Sequence, residues 1–328
     1  MSPEYFPLRP PRRSGRFLLP AFSFLSAAAT PPQAPESRPD PARTEAFARI
    51  CEIVAFGERL GLPSTGNFRR AEPQVEAIHI LYACPRFQLR RHYNEIYRMH
   101  GPDRAAVEKG ADVARGNGED VRIETVEAVA ESACPATRAL LEASLARQVY
   151  VVLHENAHVA LRSDLAIEEP VADAIATLGS QAYFTQRFGP DSPEVGAAER
   201  ARARVDRLGE FVEEVYAGLA RVYETLPGDP SARERLRRDA LEEARSAFAR
   251  LVERDGWGFR PEELNNAFLT RGHTFARHRP LAFAAAAAFE RPGEAVRRLL
   301  RVPESEAASV AYLRALAGGS PSTPAGGR

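Results

Sequence analysis

Apolar residues recur along most of the chain every three or four positions, the period of a helix with one buried face. Phe47, Ile50, Ile53, Val54 and Leu60 predict a first helix, and Leu140, Leu141, Leu145, Val149, Val152 and Leu153 a second, strongly apolar one. After Pro170 a further helix reads through Val171, Ile175, Leu178 and Tyr183. Val205, Leu208, Val212, Val215, Leu219 and Val222 keep the same spacing. The turn Pro227-Gly228-Asp229-Pro230 then leads to Leu236, Leu241, Phe248, Leu251 and Val252. Two such stripes around a tight turn predict an αα-hairpin over about residues 200–255. The best strand candidate is Ala77-Ile78-His79-Ile80-Leu81-Tyr82, short and β-branched. The polar stretch from Gly101 to Asp120, with four glycines, reads as a long loop. The predicted class is mainly α with a small β element (α+β).

The two ends of the chain break this pattern. Arg9, Arg12, Arg13 and Arg16 precede the apolar run Phe17 to Leu25, and Ser26-Ala27-Ala28-Ala29 follow with small side chains. Charged start, short apolar middle and small-residue end make a secretory signal over residues 1–29. The run is too short for a permanent membrane span. Residues 30–43, rich in proline, read as a stiff linker, and 318–328, of Gly, Ser, Pro and Thr, as a tail. The folded domain is expected over 44–317, in a periplasmic or secreted protein.

Composition narrows the partners. Lys+Arg and Asp+Glu are both 44, so the net charge is zero, and the basic surplus expected of a nucleic-acid binder is missing. Cys51, Cys84 and Cys134 lack C-x-x-C spacing, which disfavours a zinc knuckle. In an oxidising compartment one pair could bridge; burial as small apolar side chains is the equal alternative.

The chemistry lies in Leu153-His154-Glu155-Asn156-Ala157-His158, an H-E-x-x-H motif inside the most apolar helix. Residues four apart share a helix face, so both imidazoles can reach one metal ion, here Zn²⁺. Glu155 is rotated about 100° from His154, beside the open coordination position, where it can act as general base. With seven histidines in the chain, the motif arises by chance on the order of once per hundred such chains. The bland alternative is a solvated histidine pair, but every other position from Val151 to Ala160 is uncharged.

A third ligand is sought ten to fifteen residues on, in Ile167-Glu168-Glu169-Pro170-Val171-Ala172-Asp173. Pro170 at a first helical position predicts that Glu169 caps a new helix. Glu169 is the choice, with Glu168 or Asp173 as alternatives; acidic residues also suit a helix start without any metal.

These residues resemble the gluzincin metallopeptidases, and most of all a bacterial family called "putative aminopeptidases". His154 to His158 is similar to the family's H-E-L-A-H. Glu169 through Asp173-Ala174-Ile175-Ala176-Thr177 is similar to N-E-x-F-A-T. Leu264-Asn265-Asn266-Ala267-Phe268-Leu269 with Thr274-Phe275 and Pro280 is similar to L-N-N-A-x-L…T-Y…P. The likeness spans residues 137–301 and implies a zincin-like zinc peptidase acting on a peptide or protein. In the gluzincin spacing E-x-x-x-D, Glu169 would bind metal and Asp173 would orient a ligand histidine. Two departures stand out. Aligning on Ala-Thr puts Asp173 where the family has Glu, and Phe275 replaces a tyrosine whose phenol could stabilise an oxyanion. His273 and His278 are the nearby candidates to replace that donor; the alternative is two surface histidines in an Arg-rich loop. The family name implies an aminopeptidase, yet no residue for gripping a free α-amine stands out. The competing reading is a catalytically inactive zincin-fold scaffold, favoured by the absent tyrosine. His79, His92 and His100 read as structural, and Asn265-Asn266 as turn chemistry.

Overall fold

The computed structural model describes residues 41–129 and 133–318. The expected signal segment, nearly all of the linker and the tail beyond Gly318 lie outside the described residues. The described chain is mostly helical with two small sheets. Helix α1 spans Pro41–Leu60, so the last three residues assigned to the linker are helical. It buries Ile50, Ile53 and Val54 on one face.

The strand candidate forms β2 (Ile78–Pro85), the middle of an antiparallel sheet ordered β3 (Tyr97–Gly101), β2, β4 (Glu119–Val126). Strand β4 is therefore an edge. A two-residue parallel pair, β1 (Ala71–Glu72) with β5 (Ala136–Thr137), closes the neighbouring loop. The supposed long loop is instead helix α2 (Arg104–Gly116), capped by Asp103 through the Ala106 N–H. Its buried stripe is only Val107, Ala111 and Ala114, too small for a periodicity argument to find. Val107 and Ala111 pack on Leu81, Val121 and Ile123 of the sheet. Gly110 is part of the packing: a Cβ there would lie 3.0 Å from both Leu81 and Met99.

After the short α3 (Arg138–Glu142), Ser144 caps α4 (Leu145–Ala160), the helix that carries H-E-x-x-H. The chain turns extended at Leu161, and Asp164 caps α5 (Leu165–Phe188). The expected helix start at Pro170 is thus five residues late. Pro170 lies inside α5, where its missing N–H leaves the Ala166 carbonyl without the usual bond. The short connection folds α5 back along α4, so the end of one faces the start of the other. Leu153 locks this pair. A Cβ on Gly179 of α5 would sit 2.6 Å from its Cδ1, and one on Gly57 of α1 3.0 Å from its Cδ2. Only glycine lets the three helices approach this closely beside His154.

Helices α6 (Pro193–Glu224) and α7 (Pro230–Asp255) form the hairpin, capped by Ser192 and Asp229. Its apolar core joins Val212, Leu219, Leu241 and Phe248 to Leu264, Phe268 and Leu269, the last two on α8 (Asn266–Ala276). Asn265 caps α8 with its Oδ1, and its Nδ2 donates to the Val121 carbonyl of β4. Helices α9 (Arg279–Ala287), α10 (Pro292–Leu299) and α11 (Glu306–Ala317) complete the main core around α1, α4 and α5. No described helix is long and apolar enough to cross a membrane. Among the described residues no disulfide forms; Cys84 and Cys134 are buried and Cys51 is exposed.

Candidate metal centre

The antiparallel pairing of α4 and α5 sets a register in which one turn back along α4 meets one turn forward along α5. His154 meets Glu169, and Tyr150 meets Asp173. At the near end, His158 meets both Glu168 and Glu169.

The Nε2 atoms of His154 and His158 stand 3.1 Å apart. Glu169 Oε2 lies 3.5 Å from the first and 3.4 Å from the second. Glu169 is only 4% exposed, and its Oε2 has no hydrogen-bond donor. Its other oxygen, Oε1, accepts the Tyr93 hydroxyl at 2.7 Å. Glu168 Oε1 is 2.8 Å from His158 Nδ1, the far side of the same imidazole.

Burial alone would depress the His158 pKa, but Glu169 and Glu168 outweigh it and raise the pKa well above the ordinary histidine value. Burial likewise pushes Glu169 upward, and the two imidazoles reverse this and hold it well below the usual range. His154 is lowered, mainly by burial, against the pull of Glu169. Glu155 behaves differently. Burial pushes it up to about 7, with His158 opposing and Glu169 reinforcing the shift. A carboxylate poised near neutrality suits proton transfer.

These groups open onto a cleft of about 740 Å³. Its walls are α4 and α5, the edge strand β4 through Ile123 to Val126, and α6 and α8 through Leu208, Val212, Phe268 and Phe275. Four arginines also reach it, each held by acid. Arg147 is bidentate on Glu127 at 2.8 Å, and Arg122 meets Glu124 at 2.7 Å. Arg271 also pairs with Glu124, and Arg279 with Asp173 and Asp206.

The structure brings together His154, Glu155, His158, Glu168, Glu169 and Asp173. It does not give Asp173 the expected partner. Asp173 accepts the Tyr150 hydroxyl at 2.6 Å and binds Arg279. The helix register places it a full turn past His154, and Glu168 is the carboxylate that orients a histidine. His273 and His278 do not line the cleft. His273 is buried, stacked on Tyr216 at 3.8 Å with Nδ1 2.7 Å from Glu213. His278 is half-buried, with Nε2 2.9 Å from Glu306. Neither is a loose surface histidine.

Sequence reasoning missed two tyrosines. Tyr150 stacks on His154, ring centroids 5.5 Å apart, and its place four residues earlier on the same face was a usable signal. Tyr93 arrives from a polar segment with no spacing relation to the motif. Burial and Glu169 raise its pKa well above the ordinary phenol value, so it remains a hydroxyl donor.

Fold and cleft together describe a mainly helical protein whose histidine–glutamate cluster sits at the base of a substrate-sized groove. Over residues 36–309, most of the chain, the sequence matches the model of the family described as "Putative aminopeptidase", and the chain belongs to that family. That membership points to a peptidase, a hydrolase of peptide bonds. No curated protein and no solved structure matches the chain.

Proposed function

We propose that the protein is a zinc-dependent peptidase of the gluzincin type, built on a zincin-like fold, with His154, His158 and Glu169 as its metal ligands. One observation carries this reading. The three facing atoms are separated by 3.1, 3.4 and 3.5 Å. A tetrahedron with zinc–ligand bonds of about 2.0–2.1 Å has edges of about 3.3–3.4 Å. The triangle therefore has the size of one tetrahedral face, and the donorless Glu169 Oε2 belongs to it. A buried carboxylate oxygen without a donor is costly unless a cation meets it.

Held by His154, His158 and Glu169, a zinc ion would supply Lewis acidity at the base of the cleft. Glu155, beside the two imidazoles in the cleft, would serve as the general base, taking a proton from the attacking water and passing it to the leaving amine. Glu168 fixes the orientation of the His158 ring through Nδ1. Strand β4 has a neighbouring strand on one side only, and its residues Ile123 to Val126 line the cleft, an arrangement suited to holding an extended peptide.

The test is metal analysis of the purified protein together with hydrolysis of a mixed peptide library. The expected result is one tightly bound zinc, lost in His154→Ala along with hydrolysis. Zinc without any cleavage would support the inactive scaffold instead, and no zinc at all would end the metal reading. Export to the periplasm or the exterior is part of the proposal, resting on the pattern of residues 1–29. N-terminal sequencing of the mature protein should then find a start after Ala29; a start at Met1 would remove this part.

A further inference from the structure

The third sequence block holds more than a cap. Asn266, Thr270 and Thr274 are spaced by four along α8 and so form one stripe. All three are fully buried. Each faces the same stretch, from the end of β2 at Pro85 to Tyr93. Asn266 Nδ2 donates to the carbonyls of Pro85 and Arg86 at 2.8 and 2.9 Å. Thr270 Oγ1 accepts the Arg90 N–H at 3.2 Å, and Thr274 Oγ1 accepts the Tyr93 N–H at 3.0 Å. Backbone groups outside a ladder need such partners when they are buried.

The stripe ends at Tyr93. Phe275, next to Thr274, stacks on the Tyr93 ring with centroids 6.0 Å apart, and Tyr82 packs edge-on at 5.9 Å. The backbone is pinned and the ring is clamped on two sides, so the hydroxyl is delivered to one point. That point is Glu169 Oε1, 2.7 Å away. The oxygen it leaves free, Oε2, is the one that faces both imidazoles.

We propose that Tyr93 is a positioning residue for the metal centre: it holds the outer oxygen of Glu169 so that the carboxylate presents Oε2 alone, and the Asn266–Thr270–Thr274 stripe sets its place. A carboxylate free to rotate can offer both oxygens or swing away, whereas one oxygen fixed by a rigid donor keeps a single orientation. The inference rests on the metal reading above.

Zinc affinity of the full-length chain, measured by competition with a chromophoric chelator, tests it without reference to catalysis. Tyr93→Phe is expected to weaken zinc about 10–100-fold, and to change the visible spectrum of the cobalt-loaded protein as the carboxylate changes its mode of binding. Circular dichroism of the metal-free variant checks that it is folded. Thr274→Val should weaken zinc in the same direction, and Thr274→Ser, which keeps the Oγ acceptor, should restore it. In a Glu169→Ala background, Tyr93→Phe should change the residual cobalt affinity by no more than about twofold, because the group it acts through is gone. Unchanged zinc affinity and an unchanged cobalt spectrum in Tyr93→Phe overturn the inference. So does a full-sized effect in the Glu169→Ala background. A wild-type protein that binds no zinc instead overturns the metal reading itself.

Discussion

Among the described residues two groups of histidines and carboxylates come together with metal-ligand spacing, and they differ in what neutralises them. His154, His158 and Glu169 have facing atoms within 4.8 Å of one another, and so do His92, Asp164 and Glu306. In the second group Glu306 is already met by Arg91, by Arg277 at 3.2 Å and by His278 at 2.9 Å. His92 Nε2 is 3.5 Å from Asp164, whose side chain is 32% exposed. In the first group no guanidinium among the described residues pairs with Glu169, and Oε2 faces only the two imidazoles, 3.5 and 3.4 Å away. Both clusters contain residue types that ligate metals. A carboxylate pinned between two arginines has little attraction left for a dication, and adding one beside two guanidiniums is repulsive. The second group is an ion-pair junction tying together the starts of α5 and α11, the N-cap of α9 and the segment that carries Tyr93.

The contrast is sharpest in catalysis. Glu155→Gln is expected to keep one zinc and lower hydrolysis on the order of 10²–10⁴-fold, because the base goes while the ligands stay. Near-normal rates in that variant would mean that another group takes the proton. Next in size are the groups behind the ligands. Glu168→Ala removes the acceptor of His158 Nδ1 and should weaken zinc about 10–100-fold in a chelator competition. Asp173→Asn should weaken it less, because Asp173 holds Tyr150 and Arg279 and touches no ligand histidine. The reverse order would return Asp173 to the role that its spacing from Glu169 suggested. Zinc in about 100-fold excess over its dissociation constant should add about 2.7 kcal/mol to unfolding stability. Denaturant titration should show this gain in wild type and lose most of it in Glu169→Ala.

What could be read from sequence follows the range of the interaction. His154, Glu155 and His158 lie within two turns of one helix, so their shared face is fixed by local geometry. Glu168 and Glu169 were visible as candidates, but choosing between them needs the α4–α5 register, which depends on a four-residue turn and on Leu153 seating between two glycines. Pro170 pointed to a helix start because proline favours first turns; tertiary packing instead carries α5 straight through it. Helix α2 was hidden by glycines and by a stripe of small side chains. His273 and His278 were candidates because they lie near Phe275 in sequence; the carboxylates they face, Glu213 and Glu306, are remote from them along the chain. Tyr93 was the least legible. Its position comes from hydrogen bonds to a helix about 180 residues later.

The smallest expected effect is the one that most directly checks the difference between the two clusters. Glu306→Gln removes a charge shared by Arg91, Arg277 and His278. If the group is a structural junction, the variant should lose about 1 kcal/mol of stability, because Glu306 is 12% exposed but its arginine partners remain well solvated. The zinc content should stay at one per chain. His92→Ala should behave in the same way, with a shift in the urea midpoint and no change in stoichiometry. A second equivalent of metal in wild type that disappears in Glu306→Gln would show that two arginines do not suffice to silence such a cluster. Competition with rising salt separates the two cases further. Exposed ion pairs weaken as the Debye length falls to about 3 Å at 1 M, whereas the largely buried His154–His158–Glu169 triad should hold its zinc with little change.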